Sequence, residues 1–550
     1  MSTSAILIRQ LVIPRQSRRR LSGSGQRGAA TSPQRRVAPA PASQPRPFAH
    51  IPGPLALPML RHSAYVLPRI GNFHHSVGLG LLEGLQARYG DLVRLAKGSR
   101  KRPVLYVFDP ELMKEVYESK VTRPPQWERS PLQEQRRRAH NQHSLHSDET
   151  KDIWSAIGTL LQDETFLNNY DKVFDDIAAD FTRRMGELRH LENALNEEIS
   201  TEVYRWSLET LGVVLLGIRL GCLDGPAHVP TELNRGKEKT SLEDDTPETC
   251  SLWKRSEEEL SAAELLVRCS LQVAGGGHLL RSHHTLRRDS DTFTSALRAF
   301  DMHYSLTEQF VSRAMHALRR SSVRAEQALV QRLHVLQDRL PPLASDLLLA
   351  GVEPLAQTAL SMFYQVSLQA AQQQRAHDEV SWCAAARAAG APHSSCTRLP
   401  YLLACVTETL RLFPVTGGVV RRTAQDITLA GYQVPAGVDI VLAHAVSSKD
   451  EKQWGRGKCF IPERWCSSSS SSSSSRDWEP LRASRAHPAA CRPFGERCPA
   501  GGLVGTVLAA LATRLLDKYR LEWHGPAPTV AIAALNKLQP PYYFVLQNAC

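Results

Sequence analysis

At 550 residues, with 42% hydrophobic and 22% charged side chains, the chain has the composition of a folded globular protein, not of a disordered or fibrous one. Its formal net charge of +12 suggests a nucleic-acid partner, yet residues 1–50 hold nine arginines and no acid, so the other 500 residues carry only +3. No basic footprint for DNA or RNA survives that subtraction. Eleven cysteines scattered without CxxC spacing exclude a disulfide scaffold and the usual zinc patterns.

Residues 1–45 are rich in Arg, Ser, Ala and Pro, include Arg18, Arg19, Arg20, Arg35 and Arg36, and precede the first acid, Glu83. That composition is the one expected of a mitochondrial transit peptide, with a disordered basic arm as the alternative. No apolar run reaches the ~18 residues of a membrane span, which leaves peripheral contact with a membrane surface open. Pro47, Pro52, Gly53, Pro54 and Pro58 then make a stiff lead-in, since each proline removes a donor and restricts its predecessor. Residues 46–550 are expected to form one large domain, mainly α with small β-sheets.

Apolar residues at three- and four-residue intervals predict helices over 153–186, 198–216, 290–320, 341–375, 399–412 and 501–517. Strand patterns are short: Val104–Val107, Ile427–Val434 with a turn at Gly431, and Val438–Leu442. Residues 225–288 mix charge runs with Gly275, Gly276 and Gly277 and are expected to be an inserted surface loop. The unbroken serine tract 467–475 reads as a second, flexible insertion.

On the helix predicted over 399–412, Glu408 and Arg411 are three residues apart and share a face. Taken singly, such a pair is most often an ordinary surface bridge of little energetic weight. Here Leu412-Phe413-Pro414 follows at once, and Phe460-Ile-Pro-Glu-Arg464-Trp465 offers a second guanidinium to the same carboxylate. A carboxylate between two arginines is the arrangement that makes burial of its charge tolerable. Further on, Arg492-Pro-Phe494-Gly495-Glu-Arg497-Cys498-Pro-Ala-Gly501 leads into an apolar helix. A helix N-terminus there favours an anionic sulfur. The alternative for Cys498 is a buried structural cysteine, which most cysteines are, and Cys491 is its nearby rival.

This order of motifs resembles the cytochrome P450 family over most of residues 50–548. Arg205-Trp206-Ser-Leu-Glu209, Arg219-Leu-Gly-Cys-Leu223 and Arg514-Leu-Leu-Asp-Lys-Tyr-Arg-Leu-Glu522-Trp523 resemble its mitochondrial clan. The resemblance implies the cytochrome P450 fold and a haem whose iron is ligated by Cys498. Such a thiolate pushes electron density through the iron and favours O–O cleavage. It also implies that Phe494 lies at the cofactor and that Arg421 and Arg497 pair with the haem carboxylates, as guanidinium forks suit. Leu347-Leu-Leu-Ala350-Gly351-Val352-Glu353 resembles the oxygen-activating helix, with Glu353 as proton-relay acid. The clan further implies a ferredoxin-type electron donor, a small lipophilic substrate such as a sterol, and the matrix side of the inner mitochondrial membrane. Steroid hydroxylases, those of ecdysteroid biosynthesis included, are the members it points to.

Several positions depart from the family pattern. The cysteine loop is short, Ala500 stands where a glycine is expected, Gly158 replaces an arginine, and Leu403 and Thr407 replace the clan's lysines. Pro354 replaces the threonine after the acid; lacking an N–H, it is expected to open the helix at Ala350, with Thr358 as substitute donor one turn on. Three readings follow: a ferredoxin-fed monooxygenase, a haem-thiolate peroxide isomerase, or a non-catalytic haem-binding relative.

Overall fold

The computed structural model describes residues 45–54, 79–95, 103–122, 151–189, 194–195, 198–224, 257–275, 291–320, 329, 340–389, 399–466, 479–494, 498, 500–532 and 535–549. The transit-like segment, the serine tract 467–475 and Arg497 lie outside them, as do residues 225–256 and 276–288 of the expected loop. Pro45–Cys550 forms one compact unit.

Its helices, in chain order, are α1 (Leu79–Tyr89), α2 (Pro110–Glu118), α3 (Lys151–Gln162), α4 (Glu164–Asn168), α5 (Asp171–Glu187), α6 (Glu198–Leu216), α7 (Glu257–Gly275), α8 (Asp291–Arg320), α9 (Leu340–Ser367), α10 (Ala370–Ala388), α11 (Pro400–Leu412), α12 (His444–Ser447) and α13 (Gly501–Lys518). The strands are β1 (Arg46–Pro47), β2 (Leu92–Leu95), β3 (Val104–Val107), β4 (Val121–Thr122), β5 (Ala194–Leu195), β6 (Val419–Thr423), β7 (Ile427–Leu429), β8 (Tyr432–Val434), β9 (Asp439–Leu442), β10 (Tyr519–Trp523), β11 (Val530–Ile532), β12 (Asn536–Leu538) and β13 (Phe544–Asn548). This is the mainly helical body with small sheets that the patterning predicts.

Helix α9 is apolar around most of its circumference and nearly all of its second half is buried, as a helix through the middle of a large core must be. Helices α6, α8 and α11 pack against it, and α13 packs against α5 and α11. The largest sheet has the order β2-β3-β9-β6-β4. Within it Arg422 and Asp439 are cross-strand partners and form a buried ion pair at 2.7 Å. Strands β7 and β8 form the hairpin expected at Gly431. That turn needs the left-handed region, which Ala430 (φ 49°) and Gly431 (φ 74°) both occupy.

Three expectations change, one being that the helix predicted over 341–375 is two, α9 and α10, separated at 368–369. The predicted helix 153–186 is three helices, because Asp163 accepts from the Thr165 N–H at 2.9 Å and from its hydroxyl at 2.7 Å, capping α4. Residues 257–275, expected as part of a surface loop, are helix α7, packed on α8. Ala262, Ala263, Leu266, Val267, Ser270 and Val273 line its buried side. The charges around them hide that stripe from a reading of composition.

The clan-like residues Arg205, Glu209 and Arg219 are structural ties. The Glu209 carboxylate is fully buried, accepts the Gly221 and Cys222 N–H groups at 2.8 Å, and pairs with Arg219 at 2.7 Å. Arg219 reaches on to Asp180 of α5 at 2.7 Å. Arg205 pairs with Glu264 of α7 at 2.6 Å and with Glu202 at 3.2 Å, and Arg184 of α5 grips Glu202 with two bonds. Near the C-terminus Arg514 of α13 pairs with Asp175 of α5.

Candidate active site

The Glu408 carboxylate is the most densely satisfied charge in the described residues. Arg411 donates to it through Nε and Nη2 at 2.8 and 2.7 Å. Arg464 Nε donates at 3.2 Å, the Ile461 N–H at 3.0 Å and the Trp465 indole N–H at 2.9 Å. All three ionised side chains are 0% exposed. The arginines spend their other donors on backbone carbonyls: Arg411 on Ser448, Gly457 and Cys459, and Arg464 on Leu481 and Arg456. Helix α11 is thereby tied to the long segment that leads to the cysteine loop. Such a network holds a position well because every buried partner is used.

The two candidate cysteines stand in opposite environments. Cys491 is partly buried against the Trp454, Ala486 and Ala490 cluster, and burial of its thiol pushes it up to about 12. Cys498 is exposed. It stands just before α13, at whose N-terminus the described residues provide no side-chain cap, and the partial positive charge of a helix N-terminus favours an anion. The Cys498 N–H bonds the Phe494 carbonyl at 3.3 Å, and the Phe494 ring lies over Gly501 at the start of α13.

Near the cysteine loop the structure gathers cations that the sequence leaves far apart. The Arg421 and Arg492 guanidinium carbons sit 5.8 and 4.8 Å from the centroid of the Tyr117 ring. His444 stacks on the same ring and its Nε2 is 2.7 Å from the Tyr117 hydroxyl. Burial, then the charges of Arg492 and Arg421, push His444 down to about 4. Arg421 comes from β6; Arg492, Tyr117 and His444 are additions that no local pattern announces. A haem needs a soft anionic ligand with access to open space, and cations for two carboxylates. An exposed thiol just before a helix N-terminus, with a basic cluster nearby, fits that group.

On α9, Glu353 pairs with Lys537 of β12, and its charge faces Tyr204 of α6. The buried Thr358 hydroxyl donates back to the Pro354 carbonyl at 2.7 Å. Helix α9 runs through Pro354 without interruption, and Ser207 of α6 donates its hydroxyl to the Val352 carbonyl at 2.9 Å. Among the described residues no three His, Cys, Asp or Glu side chains form a metal site. No helix there is long and apolar enough to cross a membrane.

Comparison with known proteins bears on the family and the fold. The cytochrome P450 family model matches residues 62–250 and 266–497. The chain is 26% identical to "Probable cytochrome P450 49a1" of Drosophila melanogaster, over 92% of this chain and 84% of that protein. It is 23% identical to "Probable cytochrome P450 301a1, mitochondrial" of the same organism, over 90% and 86%. With the human "25-hydroxyvitamin D-1 alpha hydroxylase, mitochondrial" it shares 27% identity over 70% of this chain and 74% of that one. Among solved structures, the cytochrome P450DA heme domain superposes with a TM-score of 0.64 at 16% identity, covering 92% of this chain and 98% of that one. The chain therefore belongs to the cytochrome P450 family of haem-thiolate monooxygenases.

Proposed function

We propose that this protein is a mitochondrial monooxygenase that takes electrons from a ferredoxin-type donor and oxidises a steroid or similar lipid, ecdysteroid precursors being the favoured class. Cys498 is the iron ligand in this reading, and the observation that carries it is the contrast between the two thiols. One is exposed just before a helix N-terminus; the other is packed in an apolar cluster that raises its pKa. Phe494 packs beside the ligand, and Arg421 and Arg497, joined by Arg492, hold the haem carboxylates. Bound haem supplies oxygen activation and transfer of one oxygen atom to substrate.

The chain's own residues supply position and protons. Glu353 takes protons from the solvent side and hands them inward, and Thr358 assists as hydroxyl donor once it turns from the Pro354 carbonyl. The buried Glu408 network keeps the segment before the cysteine loop in one geometry. Two of the relatives named above are called mitochondrial, which with the acid-free basic leader supports a mitochondrial address, on the matrix side of the inner membrane with peripheral membrane contact. Leu403 and Thr407 give α11 no lysines for an acidic donor, so docking must draw on other cations.

The test is reconstitution of purified protein with a mitochondrial-type ferredoxin, its reductase and NADPH, against a steroid panel, with products identified by mass spectrometry. Product that requires the ferredoxin supports the proposal. Turnover of an organic hydroperoxide with no electron donor would favour the peroxide isomerase, and failure to take up haem would mark a non-catalytic relative.

A further inference from the structure

Tyr117 stands at the end of α2, which packs on β3 and β7 and buries Met113 and Val116. Its ring is where side chains from three other places in the chain meet. Arg421 of β6 is paired across the sheet with Ile440 of β9, and β9 runs through Ala443 into α12 and His444. Three residues on, the Ser447 hydroxyl donates to the Ala490 carbonyl at 2.8 Å, two residues before Arg492. The backbones that carry Arg421, His444 and Arg492 are thus tied to one another, and Tyr117 reaches them from a separate element.

Two features of the cluster call for a negatively charged ligand. Arg492 is partly buried, and among the described residues it makes no ion pair or hydrogen bond; its contact is the Tyr117 ring at 4.8 Å. The charges felt by His444 are those of Arg492 and then Arg421, both opposing its protonation, so the cluster is positive where it meets the imidazole. An aromatic face suits such a place for a physical reason. A carboxylate in the position of Tyr117 would hold both arginines and consume their charge, whereas the ring quadrupole holds them and leaves the charge available. The hydroxyl edge of the ring is fixed separately, by His444 Nε2 at 2.7 Å, with the two ring planes 13° apart. His444 is buried and held neutral, so it can accept the phenol proton without adding a third cation.

We propose that Tyr117 is a positioning residue for the haem carboxylates: with its edge held by His444, its face gathers Arg421 and Arg492 into a receptor whose positive charge is left for the cofactor. The proposal rests on the reading that these arginines hold the carboxylates; substrate and electron donor play no part in it.

The experiment follows haem transfer from the full-length holoprotein to excess apomyoglobin, which needs no turnover. Tyr117→Leu and Tyr117→Met keep apolar bulk and lose the ring face. Both should release haem about tenfold faster than the parent, the size expected for two guanidinium–ring contacts. Tyr117→Phe keeps the face and should stay within about twofold. Tyr432→Leu is the control: that ring of β8 also carries a guanidinium, Arg46 at 4.3 Å, beside the β1 pairing, and its loss should leave release unchanged. A merely structural role is separated by a cycle with Arg492→Leu. In that background Tyr117→Leu should add only about threefold, because Arg421 alone is left for the ring to hold. Parent-like release from both apolar variants overturns the proposal, as does a tenfold effect that persists without Arg492. Equal loss in Tyr117→Phe and Tyr117→Leu overturns it too, by assigning the effect to the hydroxyl. Parent-like release from Arg421→Leu and Arg492→Leu removes the carboxylate reading itself, and the proposal with it.

Discussion

Truncating Glu408 to alanine removes the acceptor of five hydrogen bonds and leaves Arg411 and Arg464 as adjacent guanidinium groups with no exposure to water. Breaking a buried ion pair by deleting one partner costs about 3–5 kcal/mol, most of it the uncompensated charge left behind. That is roughly two to four powers of ten in the ratio of folded to unfolded chain, set against a total stability of about 5–15 kcal/mol. The internal control is Glu187→Ala, which breaks an i,i+4 pair with Arg183 whose side chains are 50% and 40% exposed and should cost only about 0.3–0.5 kcal/mol. The assay compares soluble yield, haem content and thermal midpoint for both variants and for Glu408→Gln, which keeps a carbonyl acceptor and loses the charge. Glu408→Ala should give little haem-loaded protein and Glu408→Gln an intermediate amount, while Glu187→Ala matches the parent. If Glu408→Ala melts with Glu187→Ala and carries full haem, the network is not what holds the cysteine-loop segment.

A fusion of residues 1–50 to a fluorescent reporter should enter mitochondria; a cytosolic or endoplasmic-reticulum signal would remove the main sequence support for a ferredoxin donor. Arg492→Leu should weaken haem retention in a transfer assay to apomyoglobin more than Arg485→Leu, since Arg492 shares the Tyr117 ring with Arg421 and His444; equal retention would take Arg492 out of the cofactor site. Ser207→Ala, which removes a buried hydroxyl from the Val352 carbonyl, should cost about 1 kcal/mol of stability, seen as a lower thermal midpoint. Pro354→Thr restores the backbone N–H missing from α9 and should preserve or improve product per electron, whereas a fall would show that the proline itself is part of the mechanism.

The pattern of the sequence reaches far into this fold where contacts are local. Val104–Val107 and 198–216 are bounded in the structure as their periodicity implies. Glu408 and Arg411 are a buried pair because Arg464 arrives to share the carboxylate, and both motifs are visible in the chain. Helix boundaries are harder to read. The stop at Gln162 depends on one Asp163 cap, and α7 depends on an apolar stripe diluted by charge. The proline in α9 misleads for a physical reason: a helix enclosed by α6, α8 and α11 is held by burial, which outweighs one missing hydrogen bond. Least legible are the partners that meet across the whole chain. Tyr117 and His444 are separated by 327 positions, and nothing near either announces the other; Lys537 and Glu353 are equally silent until β12 is laid against α9.

The claim on which the rest depends is the identity of the iron ligand. The direct measurement is the absorption spectrum of reduced, carbon monoxide-treated protein for the parent, Cys498→Ser and Cys491→Ser. Our account predicts the red-shifted band of a thiolate-bound haem in the parent and in Cys491→Ser, and its loss in Cys498→Ser. A band that survives Cys498→Ser and disappears in Cys491→Ser would contradict it.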